Sequence, residues 1–297
     1  MLFTTKDARQ KRADFRAALA SGRLLRFPGA FSPLVAMSIQ NIGFDGVYVS
    51  GAVLSADLGL PDIGLTTLTE VSGRAEQIAR ATDLPAIVDC DTGFGEPMSA
   101  ARSIRTMEER GLAGCHLEDQ VAPKRCGHLD NKAVVETAEM VRRIRAAADA
   151  KRDPNFVLIA RTDSRAIEGL DKAIDRAKAY VDAGADMVFP EAMADASEFA
   201  AMRKALAVPL LANMTEFGKS DLLTADQLAD LGYNVVIYPV TTLRLAMKAT
   251  EDGLREIIEK GTQSGLLDRM QHRRDLYALL RYEDYNDFDQ SIFNFKV

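Results

Sequence analysis

The sequence is poor in cysteine and lacks long apolar runs, and each shortage excludes a class of protein. Its 297 residues include three cysteines, Cys90, Cys115 and Cys126, and their spacing shows no close pair. A disulfide-stabilised secreted domain would need an even set, and a structural zinc site would need closely spaced pairs. No apolar stretch approaches the roughly 20 residues of a transmembrane helix. We therefore expect neither a disulfide framework nor a membrane span.

Clusters of basic residues are also lacking. Lysine and arginine total 37 against 43 aspartates and glutamates, and the net charge of −6 leaves no basic face for a nucleic acid. Residues 1–12 carry charged side chains where a signal peptide needs an apolar core. These features predict a cytoplasmic protein that binds neither nucleic acid nor membrane.

Eight short apolar runs recur along the chain, and segments with helical spacing of apolar residues lie between them. The runs are residues 24–27, 46–50, 86–91, 114–119, 156–163, 187–191, 210–214 and 235–240. Near-continuous apolar strands that alternate with helices indicate a parallel sheet buried on both faces. Eight such units in about 250 residues predict an α/β fold of the (β/α)8 TIM barrel type. The rival, an open doubly wound sheet, should show a Gly-X-Gly-X-X-Gly turn, which is absent here.

The barrel units are preceded by a helix and followed by an apolar tail. Residues 4–22 predict an amphipathic lead-in helix, and two connections, 51–67 and 120–132, are long enough to carry substrate groups. The last barrel helix should end near Gly261, and residues 262–297 are rich in leucine, tyrosine and phenylalanine. We predict a single barrel domain over residues 1–297, with the tail at 262–297 packing on a neighbouring subunit.

Acidic side chains lie at the predicted C-terminal ends of strands three and four, where barrel enzymes form their active sites. Asp89 and Asp91 should point the same way because side chains alternate along a strand, and Glu118 ends the next strand. An oxygen-rich set of this kind suits Mg²⁺ or Mn²⁺. The alternative is that these carboxylates cap helices or pair with Arg161.

Other strand ends carry candidate substrate ligands. Arg161 and Arg244 are natural forks for substrate carboxylates, although each could instead form an ordinary salt bridge. Asp62 lies in the first long connection, where aspartate is common as a turn residue. The remaining polar candidates follow strands two, six and seven and are Tyr48, Ser50, Glu191, Asn213 and Thr215.

One cysteine stands apart from the others. Cys90 and Cys115 lie inside apolar runs, where a small buried thiol is expected. Cys126 lies instead in the segment Lys124-Arg125-Cys126-Gly127-His128, which has neither helical nor strand periodicity. Positive neighbours favour a thiolate, so we expect Cys126 to be reactive rather than a bystander in a surface turn.

These motifs resemble the isocitrate lyase / phosphoenolpyruvate mutase superfamily, and the likeness is greatest to its 2-methylisocitrate lyases. The resemblance covers essentially the whole chain, and the Lys-Arg-Cys-Gly-His segment is its most specific part, since the phosphonomutases of the superfamily lack that cysteine. The motifs that carry it are Tyr48-Val49-Ser50-Gly51, Gly59-Leu60-Pro61-Asp62, Asp89-Cys90-Asp91-Thr92-Gly93, Glu118-Asp119-Gln120, Lys124-Arg125-Cys126-Gly127-His128 and Phe189-Pro190-Glu191.

The resemblance implies Mg²⁺-dependent cleavage of 2-methylisocitrate into pyruvate and succinate, in the methylcitrate cycle of propionate catabolism. It also implies a homotetramer in which the last barrel helix is exchanged between subunits. Asp89 would hold the metal, with Asp62, Asp91 and Glu118 around it. Ser50, Gly51 and Arg161 would bind the pyruvate part. The succinate side and closing loop would be formed by Glu191, Asn213, Thr215, Arg244, Lys124, Arg125, Gly127 and His128.

The implied chemistry assigns the general acid and leaves the base open. Cys126 would protonate the carbanion formed when the carbon–carbon bond breaks, and Tyr48 or Glu191 would take the hydroxyl proton. Three other functions remain as alternatives. The first is a sister enzyme that acts on isocitrate, 2,3-dimethylmalate or oxaloacetate, the second is a phosphonomutase, and the third is a non-catalytic binding scaffold.

Overall fold

The computed structural model describes residues 4–125, 127 and 132–293. The chain divides into two compact units, Met1–Thr242 and Leu243–Val297, and each is considered by itself. Among the described residues, none of the helices has the length and apolar character that crossing a bilayer would require.

The first unit contains eight short parallel strands that alternate with helices. The strands are β1 (Leu25–Pro28), β2 (Val47–Val49), β3 (Ala86–Asp89), β4 (Gly114–Glu118), β5 (Val157–Thr162), β6 (Met187–Pro190), β7 (Leu211–Asn213) and β8 (Val235–Tyr238). The helices are α1 (Ala8–Ala20), α2 (Pro33–Ile42), α3 (Gly51–Asp57), α4 (Leu68–Ala79), α5 (Pro97–Glu109), α6 (Thr137–Ala150), α7 (Arg165–Glu168), α8 (Leu170–Asp182), α9 (Ala196–Ala205) and α10 (Ala225–Asp230).

The strands pair in the order expected of a (β/α)8 barrel. One ladder runs β2-β3-β4-β5-β6 and the other β7-β8-β1, so that the first strand pairs with the last. Single parallel bridges, Gly29 to Tyr48 and Val188 to Leu210, stand between the two ladders. The predicted α/β class and its eight strands are therefore confirmed, although the continuous ladder is interrupted at these two junctions.

Helix α1 covers the N-terminal end of the strands through both apolar and basic side chains. Phe15 packs against Phe27 of β1, with ring centroids 5.4 Å apart. Three basic side chains of α1 donate to carbonyls of residues that precede strands. Lys11 bonds to Thr82 before β3, and Arg12 bonds to Leu112 before β4. Arg16 bonds to residues 154–156 just before β5. Because this end is closed, polar chemistry is left to the opposite end.

Two sequence predictions differ from the structure in this unit. The connection 51–67 is not a plain loop, because it begins with α3, capped by the Ser50 side chain. Strand three ends at Asp89 rather than at 91, and Asp91 has a left-handed backbone with φ of 45°. Strand alternation therefore does not orient Asp91. A tight turn does, in which the Asp91 N–H donates to Asp89 Oδ1 at 3.0 Å.

The second unit continues α11 (Thr241–Lys260) and adds a 3₁₀ helix (Ser264–Arg269), α12 (Arg273–Leu279) and α13 (Tyr282–Phe293). Helix α11 ends one residue before Gly261, as predicted. None of its described residues or those of α12 and α13 is buried, and Ile258 and Phe293 are 85% and 82% exposed. The described residues of this unit thus leave an apolar surface uncovered.

Candidate active site

Most of the polar residues singled out in the first unit lie at or just after strand ends and are withdrawn from solvent. Side chains that point inward on a parallel strand repeat every second residue, so His116 and Glu118 of β4 share one face. Cys115 and Leu117 take the other face and join the apolar layer between sheet and helices. The buried polar set comprises Tyr48, Ser50, Asp89, Asp91, His116, Glu118, Lys124, Arg161 and Glu191.

His116 forms the floor of the site and was not singled out from the sequence. Its Nε2 lies 2.8 Å from the Tyr48 hydroxyl, and its Nδ1 lies 3.6 Å from Asp89 Oδ1. The Phe189 ring packs edge-on against the imidazole, 5.3 Å between centroids. Burial lowers the pKa of His116 to about 4, so the ring is neutral at pH 7. The sequence offered one signal for His116, its position two residues before Glu118, which puts both side chains on the same face of one strand.

Asp89 and Asp91 face one small space that a glycine keeps open. A Cβ added to Gly51 would lie 2.9 Å from Asp89 Oδ2 and 3.4 Å from Asp91 Oδ1. Burial opposes ionisation of Asp89, but the charges of Lys124, Arg161 and, at the acid pH where Asp89 titrates, protonated His116 outweigh it and hold its pKa at about 2. Burial and the charge of Asp89 raise the pKa of Asp91 to about 6. The charge of Asp89 therefore makes ionisation of Asp91 harder unless a cation lies between them.

Glu118 is completely buried, and neither carboxylate oxygen accepts a hydrogen bond from the described part of the chain. Its nearest charge is Arg161 Nη1, 3.2 Å away, and burial raises its pKa well above the usual range. Such orphaned oxygens mark a place where a ligand or water belongs. Among the described residues, no three acidic, histidine or cysteine side chains are grouped as a direct metal site. The orphaned oxygens of Glu118 nevertheless fit a hard divalent cation that keeps several waters.

Lys124 places a positive charge among these carboxylates. Its buried ammonium lies 2.7 Å from Asp91 Oδ1 and also pairs with Asp62. Burial opposes the charge, but the surrounding carboxylates outweigh it and raise the pKa of Lys124. A cavity of about 470 Å³ opens beside Asp91 and Lys124, between the loops that follow β2, β3 and β4.

Arg161 is held by three carboxylates on the other side of the site. It donates to both oxygens of Asp163 at 2.9 and 3.2 Å, and lies 3.2 Å from Glu118 and 3.4 Å from Glu191. Asn213 Nδ2 is 3.3 Å from both oxygens of Glu191. Asp163 thus occupies the guanidinium fork that was expected to bind a substrate carboxylate. The structure therefore supports the alternative that Arg161 forms an ordinary ion pair.

A second buried layer supports this cluster, built on Asp119. Its Oδ2 accepts from Thr162 Oγ1 and from the Tyr180 hydroxyl, each at 2.8 Å, and its Oδ1 accepts from the Asp163 N–H at 2.8 Å. Burial and the charge of Asp163 raise the pKa of Asp119. Asp119 thus fixes the backbone that presents Asp163 to Arg161, a role that no sequence motif indicated.

Other candidate residues have more local roles in the structure. The Arg125 guanidinium donates to the carbonyls of Pro123 and Lys124, within its own loop. Thr215 is half-buried two residues beyond β7. Arg244 belongs to the second unit, and Cys126 and His128 lie outside the described residues.

Comparisons with known proteins agree with this architecture. Residues 15–258 match the phosphoenolpyruvate phosphomutase family. A probable 2-methylisocitrate lyase 1 from Corynebacterium glutamicum is 65% identical over 98% of this chain and 95% of its own. The 2-methylisocitrate lyase of Vibrio cholerae is 47% identical over 95% and 94% of the two chains.

Solved structures share the fold over nearly the whole chain. Oxaloacetate acetylhydrolase with 3,3-difluorooxalacetate superposes with a TM-score of 0.92 at 33% identity, covering 98% of this chain and 100% of that one. Phosphonopyruvate hydrolase in complex with oxalate and Mg²⁺ gives 0.86 at 29% identity, covering 94% and 98%. This chain belongs to the phosphoenolpyruvate phosphomutase family and groups, within the isocitrate lyase / phosphoenolpyruvate mutase superfamily, with the 2-methylisocitrate lyases.

Proposed function

We propose that this protein is a Mg²⁺-dependent carbon–carbon lyase that cleaves 2-methylisocitrate into pyruvate and succinate. The observation that carries the proposal is a two-sided buried site. Asp89, Asp91 and Glu118 provide carboxylate oxygens on one side, and Arg161, which pairs with Asp163, Glu118 and Glu191, provides positive charge on the other, with Asn213 bonded to Glu191.

The two sides suit the two halves of the substrate. Asp89, already fully ionised, would hold Mg²⁺ with Asp62, Asp91 and Glu118 around it, and Mn²⁺ could take its place. The metal, when bound, supplies Lewis-acid polarisation of the hydroxy-acid end. Ser50, Gly51 and Arg161 would bind the pyruvate carboxylate, while Glu191, Asn213, Thr215 and Arg244 would line the succinate side.

Cleavage needs one base and one acid from the chain. A base removes the proton of the 2-hydroxyl group, its electron pair forms the pyruvate carbonyl, and the broken carbon–carbon bond leaves its electrons on the succinate fragment. Cys126 would return a proton to that carbanion, with Lys124, Arg125, Gly127 and His128 in the same segment. The chain offers two candidate bases, Tyr48 beside the neutral His116 and Glu191 beside Asn213.

The substrate and metal are tested together. Purified protein with Mg²⁺ is offered 2-methylisocitrate, isocitrate, 2,3-dimethylmalate, oxaloacetate and phosphonopyruvate in parallel, and the products are quantified. We expect pyruvate and succinate from 2-methylisocitrate at the highest kcat/KM, no turnover in EDTA, and recovery on adding Mg²⁺ or Mn²⁺. Preference for another acid would reject the substrate, and undiminished turnover in EDTA would reject the metal.

We further propose that the protein acts as a cytoplasmic homotetramer. The free thiols of Cys90 and Cys115 suit a reducing compartment. The apolar residues of α11–α13 need a covering surface, which helix exchange with a neighbouring subunit would supply.

Light scattering tests the assembly. The intact chain should have the mass of a tetramer at micromolar concentration, whereas a chain ending near residue 262 should dissociate or aggregate because part of the covering surface is removed. A stable monomer of the intact chain would refute the proposal.

A further inference from the structure

The connection between β4 and α6 starts and ends at the same place. Gln120 and Val134 form an antiparallel bridge. The Val121 N–H donates to the Ala133 carbonyl, and the Val135 N–H donates to the Asp119 carbonyl, both at 2.9 Å. The two ends of the connection therefore lie together beside Asp119, and one side chain from each end contacts the backbone of Arg125 or Gly127.

The Gln120 side chain forms two hydrogen bonds with the backbone of Arg125. Its Oε1 accepts from the Arg125 N–H at 2.8 Å, and its Nε2 donates to the Arg125 carbonyl at 2.9 Å. The side chain amide thus copies the paired hydrogen bonds that a neighbouring strand would make. Gln120 is 1% exposed, so water cannot readily replace either bond. The peptide groups of the residue that precedes position 126 are fixed in this way.

The Lys132 side chain bonds to the backbone of Gly127. Its side chain is 3% exposed, and its ammonium donates to the Gly127 carbonyl and lies 3.0 Å from Asp163 Oδ1. Asp163 is fully buried and is the same carboxylate that holds Arg161. A single buried carboxylate therefore connects this loop lysine with an arginine of the site.

Gly127 lies directly on the residues of the site. A Cβ there would stand 2.7 Å from Glu191 Cγ and 3.0 Å from Asp163 Oδ1, and would overlap the Arg161 guanidinium. Only glycine can approach this closely. The backbone that Lys132 holds is thus packed against the groups proposed to bind substrate.

We propose that Gln120 and Lys132 are positioning residues for the reaction: they fix the backbone on both sides of position 126 against Arg161 and Glu191. The proposal rests on the proposed function, in which the residue at 126 is the general acid. A proton donor must lie within hydrogen-bond reach of the carbanion, and two anchors, Gln120 and Lys132, hold the backbones of Arg125 and Gly127, the two residues that flank the donor in the chain. Burying a lysine costs more than burying an apolar chain of similar size, which a purely structural role would favour.

The test replaces each anchor by an apolar side chain of similar size, Gln120→Leu and Lys132→Met. The matched controls come from the opposite end of the barrel. Lys151 pairs with Asp186 at 2.7 Å and donates to the Phe156 carbonyl, and Gln40 accepts from the Asp83 N–H at 2.6 Å. Lys151→Met therefore removes the same two kinds of bond away from the site, and Gln40→Leu removes the acceptor of a backbone N–H there.

Two readouts are compared across the four variants. With the anchors lost, kcat should fall by about 10²-fold while KM changes little, because a displacement of about 1 Å has an effect of this size. Tryptic cleavage after Lys124 and Arg125, sites that every variant keeps, should rise about 10-fold in the presence of Mg²⁺ and oxalate. The controls should match the wild type in both.

An anchor variant with wild-type kcat would overturn the proposal, as would a loss of kcat with unchanged cleavage after Lys124 and Arg125. Cleavage by trypsin needs no turnover. If the wild-type protein cleaves none of the acids, the proposed function fails, yet the proteolysis still decides whether Gln120 and Lys132 hold this backbone.

Discussion

Asp89→Asn is expected to lower kcat by about 10³-fold or more, because metal stabilisation of developing charge is worth several kcal/mol. Asparagine keeps the size of the side chain but removes the charge proposed to hold Mg²⁺. The pKa of Asp89 is held at about 2, whereas burial raises the pKa of Asp91 to about 6 and that of Glu118 well above its usual range. Asp89 accepts the N–H groups of Gly51 and Asp91, so its geometry is fixed before any cation arrives.

Steady-state kinetics over a Mg²⁺ titration, with calorimetric measurement of Mg²⁺ binding, checks this result. Asp83→Asn is the matched control, since Asp83 accepts the N–H groups of Thr5 and Lys6 well away from the site. The control should keep wild-type kcat and Mg²⁺ affinity. Wild-type Mg²⁺ affinity in Asp89→Asn would show that the cation lies elsewhere.

Cys126→Ser should reduce kcat by about 10²-fold or more, in line with the usual contribution of a general acid. Serine is close to cysteine in size, but its hydroxyl is far less acidic than a thiol. Lys124 and Arg125 lie next to Cys126 in the chain, and Lys124 is buried among carboxylates, so the segment carries charge into the site. Folding and Mg²⁺ binding should remain unchanged.

Kinetics, Mg²⁺ binding and urea unfolding are measured on this variant beside Cys115→Ser. Cys115 is fully buried on the face of β4 that lies opposite His116 and Glu118, in the layer between sheet and helices. Its replacement should lower the free energy of unfolding by about 1–3 kcal/mol, the cost of burying an unpaired hydroxyl, with little effect on kcat. Near-normal turnover by Cys126→Ser would remove the thiol from the mechanism.

Some features of the site could be predicted because they depend on local sequence. Each strand is a short apolar run, and a polar residue that follows such a run must lie at the strand end, so Asp89, Glu118, Arg161 and Glu191 were found. His116 was missed because a histidine within an apolar run has no separate signal until the strand register is known. Asp91 was placed correctly beside Asp89, but for the wrong reason, since a left-handed turn orients it.

The sequence by itself determined the (β/α)8 architecture and the edge at which polar groups collect, because hydrophobic periodicity is a property of neighbouring residues. Only the tertiary structure decided which charges meet. Arg161 faces Glu118 and Glu191, and Lys124 faces Asp62, across separations of 30 residues or more in the chain. These pairings follow from strand order and from burial, which forces each ionised group to find a partner nearby in space, wherever in the chain that partner lies.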